Sequence, residues 1–161
     1  MLAWVFIAGT FVWFKILEYK RRALWDGLYT LVKTGFSHIT GLLYVIKDIF
    51  KDNNEAAKIM TGCVSDFIVS TDAQETAAAY LKTRAALINL DELIKRYPSV
   101  YESDGYLDFK NKMMKNDEKI NFAARFYDEN VLIYNKWVKR TPFNFVAVVF
   151  NIKVKGMLKI N

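Results

Sequence analysis

The amino-acid sequence predicts an all-α protein: an N-terminal membrane helix followed by an elongated antiparallel bundle of three to four long helices. Three observations carry that expectation. Two prolines and seven glycines in 161 residues are too few for the turns of an all-β fold. Apolar residues recur every three or four positions over long stretches. The first stretch, residues 2–14, holds no charged side chain. At 53% hydrophobic and 16% aromatic, the chain has the material for a packed core and is not a disordered tail.

Residues 2–14 read LAWVFIAGTFVWF; Lys15 interrupts, and Ile16 and Leu17 extend the apolar character. As a helix, residues 2–17 span about 24 Å, somewhat less than the roughly 30 Å of bilayer hydrocarbon. Lys15 recovers part of the shortfall by carrying its ammonium to the interface, and Trp4 and Trp13 fall near the two ends, where indoles prefer headgroups. Residues 1–18 therefore read as a membrane anchor, with a buried core helix as the competing reading because the run is short. A cleaved signal peptide fits poorly: Glu18-Tyr19-Lys20-Arg21-Arg22 stands where a small-x-small site is needed. Lys15, Lys20, Arg21 and Arg22 follow the apolar run and no basic residue precedes it. The positive-inside rule then puts the N-terminus outside and the body in the cytoplasm, single-pass in an inner or cell membrane. The same four cations are expected at the membrane surface, each contributing about 1 kcal/mol against anionic headgroups. The lipid bilayer is the first partner expected.

Residues 19–150 carry the helical body. Leu24, Leu28, Leu31 and Gly35 keep helical spacing, as do Leu42, Val45, Ile49 and Phe50. Gly27, Gly35, Gly41 and Gly62 each weaken a helix by about 1 kcal/mol relative to alanine. Bends are expected near Gly35 and at Asn53–Asn54. The stretch 39–50 is apolar enough to raise a second span, but Lys33, His38, Lys47 and Asp48 argue against it. Ser70-Thr71-Asp72 offers N-caps to the next helix, with Thr71 and Gln74 fitting a capping box. Its stripe runs through Ala77, Tyr80, Arg84, Leu87, Leu90, Ile94 and Tyr97, and Pro98 ends it. Ser103 or Asp104 opens the last long helix. Tyr106, Phe109, Met113, Asp117, Ile120, Ala124, Tyr127, Val131, Tyr134 and Val138 form a coiled-coil-like seam with one acidic interruption, closed by Pro142. In the basic and apolar tail, residues 151–161, Lys153, Lys155 and Lys159 alternate with Ile152, Val154 and Leu158; the tail either caps the body or touches the membrane.

Little in the chain points to chemistry. Cys63 is the one cysteine, so no internal disulfide forms, and among small and apolar neighbours it reads as a buried small hydrophobe. His38 is the one histidine and reads as a helix-surface or satisfied core residue. Neither HxxxH nor CxxC occurs. The expectation is a protein without catalytic residues, cofactor or metal, and not an enzyme. The net charge of +6 is spread along the chain without forming a stripe interleaved with aromatics, so nucleic acid is not an expected partner. Glu118 and Arg125 stand seven apart, on one helix face. They are expected to form a packed charge pair that fixes helix register, with a ligand or partner site as the alternative.

The last helix and its flanks resemble the LemA family of bacterial proteins. The matching residues are Tyr97-Pro98, Glu118-Lys119-Ile120, Arg125-Phe126-Tyr127-Asp128, Val131, Tyr134-Asn135 and Pro142, about 50 residues in the family's order and spacing. Upstream, Trp25 and the run His38-Ile39-Thr40-Gly41-Leu42-Leu43 through Lys47 are similar to the family's Trp and the segment after it. The chain departs at Thr40 and Gly41, where the family carries proline and asparagine. It departs again in the apolar Leu28-Tyr29-Thr30-Leu31-Val32, and at Asp128 in place of asparagine. The resemblance implies a membrane-anchored helical bundle without established catalysis. One branch of the family takes part in building magnetosome membranes, which points to membrane organisation. Glu118, Arg125, Tyr127, Asp128, Tyr134 and Asn135 are then the structural or partner-binding candidates. The expected function is a membrane-tethered interaction or scaffold protein that binds a protein partner or itself; the alternative is an accessory subunit of a membrane-bound enzyme or transport complex.

Overall fold

The computed structural model describes residues 2–46 and 54–160, and helix is the one regular element within them. In chain order the helices are α1 (Leu2–Val45), α2 (Asn54–Val69), α3 (Ala73–Ile94), α4 (Pro98–Tyr101), α5 (Asp104–Lys139) and α6 (Phe143–Val149). The described residues divide into two compact units. One joins residues 2–28 to Phe122–Lys159; the other holds Tyr29–Asn121, apart from the undescribed 47–53, together with Ile160.

Among the described residues, α1 is the one helix long and apolar enough to cross a membrane, and only 17% of its most apolar stretch is buried. It runs without interruption through Gly35, where the sequence reading expected a bend. Gly35 is there for close approach: a Cβ would stand 2.8 Å from Asn116 Nδ2, and that amide donates to the Leu31 carbonyl at 3.1 Å. Of the second expected bend, Asn54 opens α2, while Asn53 lies outside the described residues. Lys47, Asp48, Ile49 and Phe50, on which part of the apolar pattern and the argument against a second span rested, lie outside them too.

In the unit around Tyr29–Asn121, α2 and α3 pack as a hairpin. The N-cap of α3 is Asp72, whose carboxylate accepts from the Glu75 N–H at 2.8 Å. Glu75 reaches back to the Thr71 N–H at 2.7 Å and hydroxyl at 2.9 Å. The capping pair therefore sits one residue beyond the expected Thr71 and Gln74, because two charged carboxylates accept these bonds better than a hydroxyl and an amide. Pro98 opens α4, in the first turn where its missing N–H costs nothing. Val32, Phe36, Ile39 and Leu42 of α1, Met60, Cys63 and Phe67 of α2, and Leu90 and Ile94 of α3 are buried, with Phe36 stacked on Phe67 at 4.1 Å. Cys63 is fully buried, as a small hydrophobe should be.

Two reciprocal tyrosine–aspartate bonds stitch α3 to α5 within this unit. The Tyr80 hydroxyl donates to Asp117 Oδ1 at 2.7 Å, and the Tyr106 hydroxyl donates to Asp91 Oδ1. Asp117, the acidic interruption of the seam, is thus the acceptor for a buried phenol, and burial together with that bond raises the Tyr80 pKa well above its usual value. Asp91 also accepts from Lys110 at 2.9 Å and pairs with Lys95 at 3.2 Å.

In the other unit, the second half of α5 lies against the start of α1. Phe14, Leu17, Tyr134, Val138 and Ala147 form its core, with Trp137, Phe143 and Ile152 packed at the edge. The Phe14 and Tyr134 rings meet edge to face at 6.2 Å, and Trp13 and Trp137 likewise at 6.2 Å. Leu2, Trp4, Val5, Val12 and Ile16 face outward. After a cis Thr141–Pro142 bond, α6 folds back over Trp137. Asn151, at φ 51°, ends it in the left-handed region. Ile152 N–H bonds to the Ala147 carbonyl at 2.7 Å and Asn151 N–H to Val148 at 3.1 Å, the paired bonds of a Schellman cap.

Candidate functional site

Arg21, Arg22, Tyr127, Asp128, Tyr134 and Asn135, all singled out in the sequence, lie where α1, α5 and the tail meet in the unit of residues 2–28 and Phe122–Lys159. Helical spacing brings Glu18, Arg21, Arg22 and Trp25 onto neighbouring faces of α1. Glu18 Oε1 accepts from Arg21 Nη2 at 2.9 Å and from Arg22 Nε at 3.3 Å. Arg21 Nη1 donates to the Tyr127 hydroxyl at 3.1 Å, and Trp25 meets the Tyr127 ring edge-on at 6.0 Å. The Arg21 side chain is 15% exposed against 70% for Arg22. Of the four cations expected at the membrane surface, Lys15, Lys20 and Arg22 are exposed, whereas Arg21 is half-buried and bonded to Glu18 and Tyr127. A guanidinium one turn after a carboxylate and beside a phenol hydroxyl makes charge-assisted hydrogen bonds to both.

Asp128 and Asn135, seven apart on α5, hold the tail. Asp128 Oδ1 accepts from the Leu158 N–H at 2.7 Å and Oδ2 from the Lys159 N–H at 3.1 Å. Asn135 bonds both backbone groups of Lys155, donating to its carbonyl and accepting from its N–H, each at 2.8 Å. A tail with no helix of its own is satisfied group by group from α5 side chains. Tyr127 and Tyr134 are buried beneath these contacts.

Glu118 and Arg125 do not join them; both are exposed. The buried positions of the seam are Ile120, Ala124 and Tyr127. Glu118 stands two residues before Ile120 and Arg125 one after Ala124, so each is turned about 100–200° from the packed stripe. They share a face, but it is the wet one, and the expected packed pair is replaced by two solvated charges.

The arrangement is a set of hydrogen-bonded clamps. Glu18 Oε2 and Arg21 Nε are buried without a partner. Among the described residues, no group of three or more His, Cys, Asp or Glu stands close enough to hold a metal ion. Beside the clamps lies a cleft of ≈ 320 Å³, with Phe11, Phe14 and Phe150 on its apolar side and Lys15, Glu18, Arg22, Lys153 and Lys155 on its polar side. Sequence reasoning found Lys15 and Arg22 but not their convergence with the tail lysines; the one signal was the alternation of Lys153 and Lys155 with apolar residues.

Comparison with known proteins agrees with the motifs. The model of the LemA family matches residues 19–161, nearly the whole chain. No curated protein matches it.

Proposed function

The chain belongs to the LemA family, and on that premise we propose that it is a non-enzymatic, membrane-anchored helical-bundle protein acting as an interaction or scaffold component in membrane organisation. Residues 1–18 hold it in an inner or cell membrane, with the N-terminus outside and the body in the cytoplasm. A protein partner or a second copy of the chain, with the bilayer itself, makes up its surroundings.

The observation that carries this reading is the outward face of α1. Leu2, Trp4, Val5 and Val12 are all more than half exposed, and contiguous exposed side chains of this kind need a cover that water does not supply. A second support lies in α6, within the same unit, where Phe145, Val148 and Val149 are exposed at 67%, 81% and 75%. The cytoplasmic assignment rests on Lys15, Lys20 and Arg22, which follow the apolar run and point into solvent. The test is alkaline carbonate washing of membranes that contain the full-length chain. Retention in the pellet is expected, and release into the supernatant sinks the anchored reading.

A further inference from the structure

The cleft beside the clamps lies where the apolar run of α1 gives way to charge. Phe11 and Phe14 precede Lys15 by four residues and one, and Phe150 packs on Phe11 at 4.5 Å. The next polar positions on the same wall are Lys15, Glu18 and Arg22, and Lys153 and Lys155 face them from the tail. Four cations against one carboxylate leave this side strongly positive. Lys15 is held over the Phe11 ring at 5.3 Å, so its ammonium stands at the boundary of the two surfaces. Glu18 is itself committed to Arg21 and Arg22 through Oε1 and so offsets only part of that charge.

We propose that this cleft binds one anionic glycerophospholipid, its phosphodiester held by Lys15, Lys153 and Lys155 and its chain lying on Phe11 and Phe150. The proposal rests on the membrane-anchored reading and adds to it a specific lipid site. An apolar wall continuous with the anchor selects a lipid over a free phosphate. The excess of cations selects an anionic headgroup, phosphatidylglycerol, over the zwitterionic phosphatidylethanolamine and phosphatidylcholine.

The experiment is native mass spectrometry of the full-length protein released from a neutral detergent, with each of the three lipids added in turn. A single adduct is expected with phosphatidylglycerol, at least tenfold more abundant than with phosphatidylethanolamine or phosphatidylcholine. Lys153→Ala combined with Lys155→Ala should reduce it to the phosphatidylcholine level, while the exposed Lys112→Ala leaves it unchanged. The paired variant keeps its fold, because the tail is held through the Lys155 backbone and not its ammonium; unchanged far-UV circular dichroism verifies this. Equal retention of all three lipids, or an adduct indifferent to the paired substitution, overturns the lipid site. Displacement by millimolar inorganic phosphate makes it a soluble-phosphate site and overturns the lipid assignment. Carbonate washing separates the two ideas: a chain that stays in the pellet without headgroup selectivity loses only the lipid site, and a chain that washes off loses the anchor.

Discussion

At the scale of single residues, the most informative side chains work through the backbone of other segments. Asp128 accepts two N–H groups from the end of a tail that Asn135 also holds at Lys155. Asp128→Ala leaves both donors without their acceptor, at about 1–3 kcal/mol if they stay buried. The cheaper response is for the tail to leave, so the expected outcome is faster tryptic cleavage after Lys155 and Lys159, with little change in helix content. Cleavage at the wild-type rate would show that the tail is held by something other than this carboxylate. Asp91 offers a pH handle. Burial pushes its carboxyl pKa up, but bonds from Tyr106, Lys110 and Lys95 outweigh this and bring it down from 3.8 to about 2. A depressed folded pKa means that the stabilisation is complete above the unfolded value and is lost as pH falls toward 2. Thermal stability should decline over that window, and Asp91→Asn should flatten the decline. The variant and the parent losing stability in parallel would assign the acid sensitivity elsewhere.

At the scale of elements, the sequence is legible where local rules suffice and silent where distant segments meet. The positions of α3 and α5 follow from hydrophobic spacing and from Pro98 and Pro142, and the structure places helices there. The cap of α3 slipped by one residue because Thr71-Asp72-Ala73-Gln74-Glu75 contains two overlapping capping frames, and only the second uses two carboxylates. Gly35 read as a bend because its other value, room for Asn116, depends on a residue far away in the sequence. Glu118 and Arg125 read as packed because spacing shows that two residues share a face without showing which face is wet. The clamps at Asp128 and Asn135 join α5 to residues 155–159, a link no local pattern announces. The Schellman cap of α6 is a more local device and gives a sharp test. Asn151 tolerates its positive φ, and Ile152 carries the accompanying apolar contact. Asn151→Gly should leave stability within a few tenths of a kcal/mol, whereas Asn151→Val should cost about 1–2 kcal/mol in chemical denaturation. Equal midpoints for the two variants would mean that the turn is not formed as described.

At the scale of the whole molecule, the N-terminal segment faces two ways. Leu2, Trp4, Val5 and Val12 point outward, yet Phe14 and Leu17 are buried in a core with Tyr134, Val138 and Ala147. A segment that was only an anchor could be removed without consequence for the rest. This one cannot, because losing Phe14 and Leu17 opens a cavity whose cost, by analogy with large-to-small core substitutions, is about 2–5 kcal/mol for each side chain. The effect should be confined to the unit that holds residues 2–28 and Phe122–Lys159, since the stitches Tyr80–Asp117 and Tyr106–Asp91 belong to the other. Deletion of residues 1–18 is therefore expected to leave a chain that is still helical but unevenly protected. Amide hydrogen exchange followed by mass spectrometry should find faster exchange across residues 122–158 and near-native protection across residues 73–121. Uniform protection in both regions would show that the apolar run is a dispensable tether. Uniform loss would show that the two units do not open separately. Only the uneven pattern is consistent with a segment that is exposed on one face and packed into its own unit on the other.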